Sequence, residues 1–447
     1  MPSQLPDKSL SKDSDMNKKQ KSVITCDLEG RIETYNQGAE EIFGYKAEEV
    51  IGKKRVSLFS PGQTVLEYVP NWLKVASEEG EYRTKTVFLD RDHNPVAAEI
   101  RITPTFKDGQ QIGFCGVTEV LDEVAPEEVA PNISLMTRIF SWFVITRAPF
   151  LTAIIIPILL GASWVVYKGL VQPFPWDLFL FALFAGIFLH VAANTFNDYF
   201  DWQSGADQAN NDYFLPYSGG SRSIELGLIS EKALFRVALI SLSIASLLGL
   251  MLAVRSGPGI LLFGVVGALS SYFYTAPPLR LAARKGLGEL LIGLNFGPFA
   301  TAGTVYALTG SVSLSDFLIG VPIGLLTTAI LWINQFPDEV SDREAGKINL
   351  VVLLGKRRAR WGYLLLLTLA FGIMLYWFAV GALPLSILLV LASIPIAFYA
   401  GQIAVREYDQ RSLIRANAAT IQLHLAFGLL LVVSLLLSKY FGGGPVA

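Results

Sequence analysis

Two groups of acidic residues stand at the ends of long apolar segments, where charged side chains are costly and therefore point to function. The first group comprises Asn197, Asp198, Asp201 and Asp207. Asp198 and Asp201 are three residues apart, which places them on one face of a helix, whereas Asp207 lies beyond Gly205, a typical helix end. Such hard oxygen ligands suit Mg²⁺, which proteins hold with one or two carboxylates and substrate phosphates.

The second acidic group lies in the loop after the sixth long apolar segment and comprises Asp338 and Asp342. Their four-residue spacing again places both carboxylates on one helical face. A single Asp-x-x-x-Asp is often only the solvated face of a loop. Two groups, each at the end of an apolar segment and on the same side of a membrane, instead indicate a shared two-metal site.

Basic and phenolic side chains accompany the carboxylates. Arg222 follows Gly219-Gly220-Ser221, a flexible stretch that lets a guanidinium approach an anion, and Lys347 follows the second acidic group. Tyr274 closes the fourth apolar segment ahead of Arg280. Carboxylates that hold Mg²⁺, together with Arg and Lys that hold phosphate oxygens, describe a diphosphate site. An apolar bundle behind that site would hold a hydrocarbon, so the predicted substrate is a lipid diphosphate.

The elements that must position these residues are long apolar segments, which recur between residues 138 and 440. Each is close to the roughly 20 residues that a helix needs to span a bilayer. The sequence therefore predicts an all-α polytopic membrane bundle of nine transmembrane helices. The predicted spans are 147–168, 176–199, 232–254, 258–275, 287–309, 315–335, 361–381, 383–403 and 418–439.

Lysine and arginine are concentrated in one set of loops, which the positive-inside rule assigns to the cytoplasm. An odd number of spans then places the N-terminal region and the acidic groups on the cytoplasmic side of the inner (plasma) membrane, and the C-terminus outside. The formal net charge of −2 combines an acidic N-terminal region with a basic remainder. The chain has no basic run of the kind that follows nucleic-acid phosphates, so we expect no nucleic-acid partner.

The first 137 residues differ in kind from the membrane part. Residues 1–21 are polar and predict a disordered N-terminus, and residues 122–137 form an acidic, proline-punctuated linker that we expect to be extended. Between them, residues 22–121 alternate strand-like runs, turns and helical stretches, which indicates a small α+β cytoplasmic domain. Cys26 and Cys115 show neither a disulfide framework nor zinc-ligand spacing, so we expect reduced, buried strand residues.

This N-terminal domain resembles a PAS domain. The matching residues are Asp27-Leu28-Glu29-Gly30-Arg31-Ile32, Asn36, Ala39, Phe43-Gly44-Tyr45, Glu48-Glu49 and Gly52. PAS folds bind haem, flavin or small metabolites, or act as dimerisation modules. The sequence has no flavin-adduct cysteine motif, and His93 falls in a predicted hairpin turn. The resemblance therefore implies self-association or an unidentified small ligand rather than haem.

The membrane part resembles the UbiA superfamily of intramembrane prenyltransferases over residues 138–440. The two acidic groups match the two aspartate motifs of the family, and Arg147-Ala148-Pro149 resembles the start of its first span. The resemblance implies a Mg²⁺ cofactor, with metal ligands and catalytic residues Asp198, Asp201, Asp338 and Asp342, assisted by Asn197. It also implies a polyprenyl diphosphate and an aromatic acceptor as substrates, bound by Asn194, Asn197, Asp207, Arg222, Tyr274, Arg280 and Lys347.

Within the superfamily, the stretches 342–347 and 286–289 resemble the menaquinone branch, which prenylates 1,4-dihydroxy-2-naphthoate. The Arg-Pro pair typical of the 4-hydroxybenzoate branch is missing after the first motif. Another quinone or lipid branch, with 4-hydroxybenzoate or homogentisate as acceptor, is the alternative. The family's Tyr-x-x-x-Lys loop has Pro278 where the lysine would stand, and Arg280 or Lys285 would substitute for it.

Three further residues have two interpretations each on the sequence alone. His190 either faces the pocket one turn before Asn194 or packs against another span, and His424 is more simply a hydrogen-bonding residue inside the bundle. Glu289 either complements a helix dipole or contacts substrate. A transporter gated by the N-terminal domain is the competing class of protein, but its acids would lie near the bilayer midplane in broken helices.

Overall fold

The structure is a computed structural model that describes residues 21–205 and 220–441. The chain divides into two compact units, Met1–Ile139 with Glu225–Leu228, and Phe140–Ile224 with Ile229–Ala447. The prediction of a disordered N-terminus over residues 1–21 falls, apart from Lys21, outside the described residues.

The N-terminal unit contains a five-stranded antiparallel sheet with the strand order β2-β1-β5-β4-β3. Each strand lies within a residue or a few of a run that the sequence predicts, and the longest pairing is the β4–β5 hairpin. Its turn is tight because Asp108 and Gly109 both adopt positive φ. The strands are β1 (Ser22–Asp27), β2 (Ile32–Tyr35), β3 (Tyr82–Leu89), β4 (Pro95–Lys107) and β5 (Gln110–Val120).

Aromatic side chains fill the core of this unit. Phe43 stacks on Phe59 with ring centroids 4.3 Å apart, and Trp72 stacks on Tyr82 at 6.1 Å. The first helix begins at Asn36, whose side chain accepts a hydrogen bond from the Ala39 backbone and caps the helix. The helices are α1 (Gln37–Phe43), α2 (Ala47–Val50), α3 (Gly62–Glu67) and α4 (Val69–Glu79).

The linker is not extended as predicted, because it folds back on its own unit. A short helix, α5 (Pro126–Val129), contacts strands β3 and β4. Tyr68 donates a hydrogen bond to the Asn132 carbonyl at 2.7 Å, and the Ser134 amide donates one to Glu67 at 3.0 Å. The same proline and glutamates that indicate an extended linker also favour a helix N-terminus, where proline fits and acids complement the dipole.

The second unit consists of apolar helices, and the predicted count of nine spans is not confirmed by their lengths. Among the described residues, eight helices are long and apolar enough to cross a membrane. They are α7 (Ala148–Lys168), α8 (Trp176–Gln203), α9 (Glu231–Ser256), α11 (Leu287–Thr309), α12 (Leu314–Asn334), α15 (Lys356–Ala379), α16 (Leu385–Arg406) and α17 (Arg411–Tyr440). Shorter helices are α6 (Leu135–Ile145), α10 (Ile260–Phe273), α13 (Glu339–Glu344) and α14 (Leu350–Leu354).

The predicted fourth span, 258–275, is the short helix α10. Its 14 residues extend about 21 Å, less than the roughly 30 Å of a bilayer core. Gly257, Pro258 and Gly259 delay the start of the helix, and Pro277 and Pro278 follow its end. These helix-breaking residues explain why an apolar stretch of sufficient length forms a shorter helix.

Small residues let the helices of the bundle approach closely. A Cβ added to Gly324 of α12 would lie 2.2 Å from the carbonyl oxygen of Gly293 in α11, so the two backbones are in contact there. Close to this contact, α11 is interrupted by a π-helical turn, Asn295–Phe299, which contains Pro298. Such turns re-aim side chains and often occur at functional sites.

Candidate active site

The first acidic group lies at the C-terminal end of α8. Asp198 is 3% exposed, and the Ser221 amide donates to its carboxylate at 3.3 Å. Arg147 places Nη1 at 3.6 Å from the same carboxylate and donates to Asn197 Oδ1 at 3.2 Å. Asn197 in turn donates to Asp201 at 3.3 Å. A continuous chain of contacts therefore joins the start of the first span to both carboxylates.

The second acidic group lies on the short helix α13, with Asp338 as its N-cap and Asp342 inside it. Asp342 is 7% exposed and accepts a hydrogen bond from Asn349 Nδ2 at 2.7 Å. Burial and the charges of Asp338 and Asp201 outweigh the effect of Lys347, so the pKa of Asp342 rises to about 7. The negative charges here exceed the nearby positive charge, a deficit that a bound cation would correct.

Lys347 connects the two acidic groups. Its Nζ lies 3.6 Å from Asp201 Oδ2 and 3.6 Å from Asp342 Oδ1. Burial alone would lower the pKa of Lys347, but the charges of Asp201 and Asp342 raise it well above its ordinary value, so the ammonium is protonated. The predicted meeting of the two acidic groups is thus present in the structure, with a lysine between them.

A cavity of about 580 Å³ opens between these groups and the apolar helices. Its polar end is formed by Arg147, Asn194, Asn197, Asp201, Tyr274, Asp338, Asp342 and Lys347. Residues of α7, α8, α9, α10, α11 and α12 form most of the remaining wall, which is largely apolar. The volume is within the range of small-molecule sites, and the change from charged to apolar lining suits an amphipathic ligand.

The remaining predicted site residues are distributed differently. Asp198 and Arg222 are buried, but neither belongs to the cavity lining. Arg280 lies in the loop after α10 and also falls outside that lining. Asp207 lies outside the described residues. Asp198, which is predicted as a metal ligand, contacts Arg147 and the Ser221 amide.

The donor set at the polar end fits Mg²⁺ in part. Within residues 21–205 and 220–441, no three histidine, cysteine, aspartate or glutamate side chains are close enough to hold a metal ion together. Mg²⁺ usually keeps several waters and takes phosphate oxygens, so a dense protein cluster is unnecessary. Asp201, Asp338 and Asp342 line one cavity end and offer only hard oxygens, which are the ligands that Mg²⁺ prefers.

Sequence reasoning missed three polar residues of the site. The sequence relates Arg147 only to the start of the first span and gives it no role in the site. In the structure Arg147 contacts both Asn197 and Asp198. Its φ of 54° is unusual for a non-glycine residue and is consistent with a functional constraint. Asn349 and Gln335 gave no signal, because single amides in a sequence are common.

Glu289 contacts the site from behind rather than binding in the cavity. It is 3% exposed, and its Oε1 accepts hydrogen bonds from Gln335 Nε2 at 3.2 Å and from the Leu350 amide at 2.8 Å. It lies in the first turn of α11, as the helix-dipole interpretation predicts. The carboxylate therefore joins α11, α12 and the loop that carries Lys347.

The two membrane histidines differ in their surroundings. His424 is fully buried, and its Nε2 lies 3.1 Å from the Thr327 hydroxyl, in agreement with the expected role inside the bundle. His190 lines the cavity, and its ring centroid lies 4.8 Å from that of Phe296. Of its two predicted positions, facing the pocket is therefore the observed one.

Two regions of the chain match known protein families. Residues 154–426 match the UbiA prenyltransferase family, and residues 20–121 match a PAS domain family. A 1,4-dihydroxy-2-naphthoate octaprenyltransferase of Bacillus subtilis (strain 168) is 30% identical over 317 residues, which cover 70% of this chain and 97% of that protein. A 2-carboxy-1,4-naphthoquinone phytyltransferase of Synechocystis sp. is 28% identical over 310 residues, covering 68% and 95%.

A solved structure of a UbiA homolog from Archaeoglobus fulgidus bound to GPP and Mg²⁺ is also similar to this chain. The similarity covers 66% of this chain and 99% of that one, with a TM-score of 0.45 and 15% sequence identity.

Proposed function

The chain belongs to the UbiA prenyltransferase family and carries an N-terminal PAS domain, and from this premise we propose that it transfers a polyprenyl group from a polyprenyl diphosphate to an aromatic acceptor with the help of Mg²⁺. The observation that carries the proposal is the placement of Asp201, Asp342 and Lys347 at the charged end of an apolar cavity. A diphosphate with a long hydrocarbon tail matches both ends of that cavity.

The diphosphate would bind at the charged end. Asp201, Asp338 and Asp342, with Asn197, would hold Mg²⁺, which would neutralise charge on the departing diphosphate. Lys347 would then exchange part of its contact with Asp201 and Asp342 for the diphosphate oxygens. Arg222 and Arg280 are proposed to assist from the adjoining loops.

Asp198 would contribute indirectly to the reaction. Its carboxylate fixes Arg147 and the Ser221 amide, so we propose that it keeps the guanidinium directed at Asn197 and the diphosphate. Asp207 is assigned to the same site on the sequence motif alone. The apolar wall would keep water from the allylic carbon while an electron-rich aromatic carbon attacks it.

The acceptor we propose is 1,4-dihydroxy-2-naphthoate. The stretches 342–347 and 286–289 support this choice, as do the names of the Bacillus subtilis and Synechocystis relatives, both of which specify naphthalene-derived acceptors. The corresponding product is a menaquinone precursor. An acceptor of another branch, such as 4-hydroxybenzoate or homogentisate, is the alternative that the assay below separates.

We also propose the placement of the protein in the cell and its domain limits. The basic loops support an inner-membrane enzyme with the PAS domain and the active site facing the cytoplasm. The proposed limits are a polar N-terminal segment at 1–21, the PAS domain at 22–121, a linker at 122–137 and the prenyltransferase domain at 138–440. The PAS domain is proposed to self-associate or to bind a small ligand.

The test uses the full chain purified in detergent or nanodiscs. Geranylgeranyl diphosphate is offered with each of the three acceptors, and prenylated product and released diphosphate are measured with Mg²⁺ and with EDTA. We expect Mg²⁺-dependent product from the dihydroxynaphthoate and at least a hundredfold loss in Asp201→Asn, given the electrostatic role assigned to this carboxylate. Near-normal turnover by Asp201→Asn, or product from 4-hydroxybenzoate alone, would contradict the proposal.

A further inference from the structure

One polar side chain in the cavity wall takes no part in the diphosphate site. His190 is 6% exposed, lines the cavity, and its Nδ1 has no hydrogen-bond partner among the residues that the structure describes. A buried polar atom without a partner is costly unless a ligand completes it. Among the described residues Nδ1 of His424 is unpartnered as well, but of these two histidines only His190 lines the cavity. The part of the cavity beside His190 is therefore suited to a polar group of a bound ligand.

The position of His190 along α8 relates it to the diphosphate end. His190, Asn194, Asn197 and Asp201 are separated by four, three and four residues, and all four line the same cavity. They therefore form one stripe along the helix. His190 lies seven residues, or about 10 Å, from Asn197 along the helix axis, deeper in the bundle.

The chemistry of the reaction places the acceptor in this interval. The attacking carbon must approach the allylic carbon next to the diphosphate to roughly 3–3.5 Å. An acceptor ring in that position lies below Asn197 and extends its far edge toward His190. Phe296, whose ring centroid is 4.8 Å from that of His190, provides an aromatic surface against which such a ring can pack.

The surroundings of His190 select the kind of polar group. Leu189, Ala193 and Phe296 line the wall together with His190. The polar side chains that act on His190 are Asn194, through a hydrogen bond, and Arg147, whose charge belongs to the polar end of the cavity. A carboxylate on the apolar side of His190 would therefore be poorly compensated. A phenolic hydroxyl is neutral and can either donate to or accept from an imidazole nitrogen. The carboxylate of an acceptor would lie more favourably toward Arg147 at the charged end.

We propose that His190 binds a ring hydroxyl of the aromatic acceptor through Nδ1 and so determines which ring carbon faces the prenyl group. This inference rests on the proposed function, because it assigns the acceptor subsite of the same cavity. His190 is a substrate-binding residue in this assignment and takes no part in holding the diphosphate.

The test separates acceptor binding from prenyl diphosphate binding. His190→Phe keeps a ring of similar size but removes the polar atoms, and His190→Gln keeps a hydrogen-bonding group. We expect His190→Phe to raise the KM for the dihydroxynaphthoate by roughly tenfold or more, because loss of a buried hydrogen bond has that effect. The Kd of an unreactive thio-analogue of geranylgeranyl diphosphate should not change, and His190→Gln should recover part of the loss.

Acceptor analogues that lack one hydroxyl provide a second readout. If His190 binds that hydroxyl, wild type should lose affinity for one analogue, and His190→Phe should show no additional loss for it. The matched control is His424→Gln, a buried histidine outside the cavity lining whose replacement can keep the bond to Thr327. Its acceptor KM should equal that of wild type.

Several outcomes would overturn the inference. An unchanged acceptor KM in His190→Phe would exclude the contact, and equal losses for every analogue in wild type and variant would exclude a specific hydroxyl. A parallel loss of thio-analogue binding would show a structural role for His190. Failure of the proposed function looks different, because wild type itself would then prenylate none of the aromatic acceptors.

Discussion

Lys347 has the position of a counter-ion in the site. Its ammonium lies between Asp201 and Asp342, 3.6 Å from each, where it neutralises part of the charge that the two acidic groups bring together. Asp201, Asp338 and Asp342 line the same end of the cavity as this single lysine, so their charge is only partly compensated. Burial, together with the charges of Asp338 and Asp201, raises the pKa of Asp342 despite the lysine. A site with this deficit attracts a cation, and the lysine is then available to an anionic ligand.

The two cysteines of the PAS domain give a residue-scale prediction. Burial raises the pKa of the Cys26 thiol to about 12, and burial also raises the pKa of Cys115, which is less deeply buried. The thiolate is the reactive form, so at pH 8 we expect an aromatic disulfide reagent to modify Cys115 slowly and Cys26 only after unfolding. Mass spectrometry of labelled peptides identifies the modified residue, and denatured protein is the control.

The same shift predicts how stability depends on pH. The folded pKa of Cys26 exceeds the unfolded value of roughly 8.5, so below that pH both states are protonated and the thiol has no pH-dependent effect. As the pH rises from 9 toward 12, the unfolded state loses its proton first, and the free energy of unfolding should fall. Cys26→Ala should show a smaller decrease between pH 8 and pH 10; an equal decrease would contradict the assignment.

At the scale of elements, Glu289 is predicted to be a positioning residue for the Lys347 loop. Its carboxylate joins the first turn of α11 to Gln335 and to the Leu350 amide, three residues after Lys347. Glu289→Ala would remove two buried hydrogen bonds and let this loop move. The stabilisation of the loop should fall by roughly 1–3 kcal/mol. We expect weaker binding of prenyl diphosphate, by about tenfold, with little change in the acceptor KM.

The control for this prediction is Glu289→Gln, which keeps one side-chain oxygen for the Leu350 amide and should retain most of the affinity. A general loss of packing would weaken the binding of both substrates. Weaker binding of prenyl diphosphate with an unchanged acceptor KM therefore distinguishes a positioning role. If Glu289→Ala raised both KM values equally, or lowered only the melting temperature, Glu289 would be a structural residue of the bundle and not a positioning residue of the site.

The sequence predicted the elements well because their patterns are local. Apolar runs of span length, strands between turn residues and paired aspartates are all visible within about 30 residues. The contact of Lys347 with Asp201, across almost 150 positions, followed only from placing both motifs on one membrane side. Arg147 and Glu289 could not be assigned this way, because their roles depend on which backbone amides and amide side chains the tertiary structure brings near them.

The linker and α10 are the elements where local reasoning was incomplete. The acidic residues and prolines of 122–137 predict an extended linker because they disfavour a core. Hydrogen bonds with Glu67 and Tyr68 nevertheless attach this linker to the PAS domain. For α10, hydropathy gives the length of the apolar stretch but not that of the helix. The flanking prolines and glycines make the helix shorter than the stretch. Hydrogen bonding and backbone geometry, rather than polarity, decided both outcomes.

At the scale of the whole molecule, the active site fixes the number of membrane crossings between its two acidic groups. Lys347 contacts both Asp201 and Asp342, so the ends of α8 and α12 must lie on the same side of the membrane. An even number of crossings must therefore separate them. The long helices α9, α11 and α12 provide three, and we predict that α10, although only about 21 Å long, provides the fourth.

The contacts of α10 agree with this argument. Near its start, the Gly259 amide donates to the Tyr306 hydroxyl at 3.0 Å, close to the end of α11 that is remote from the site. Beyond its other end, Tyr274 lines the cavity together with Lys347. The chain thus passes from the remote side to the site side over α10 and the residues around it, as local thinning of the bilayer would permit.

We therefore predict that single cysteines at Ser204 and Glu344, both exposed, lie on the same side of the membrane. The background is a functional variant in which Cys26 and Cys115 are serine. A membrane-impermeant maleimide applied to intact cells should label neither position, and both should react after the membrane is permeabilised, if the site faces the cytoplasm. A cysteine at Gly381, in the loop after α15, should react in intact cells and serves as the positive control. Labelling of only one of the first two positions would mean that α10 does not cross, and that the contacts of Lys347 with both acidic groups do not form in the membrane.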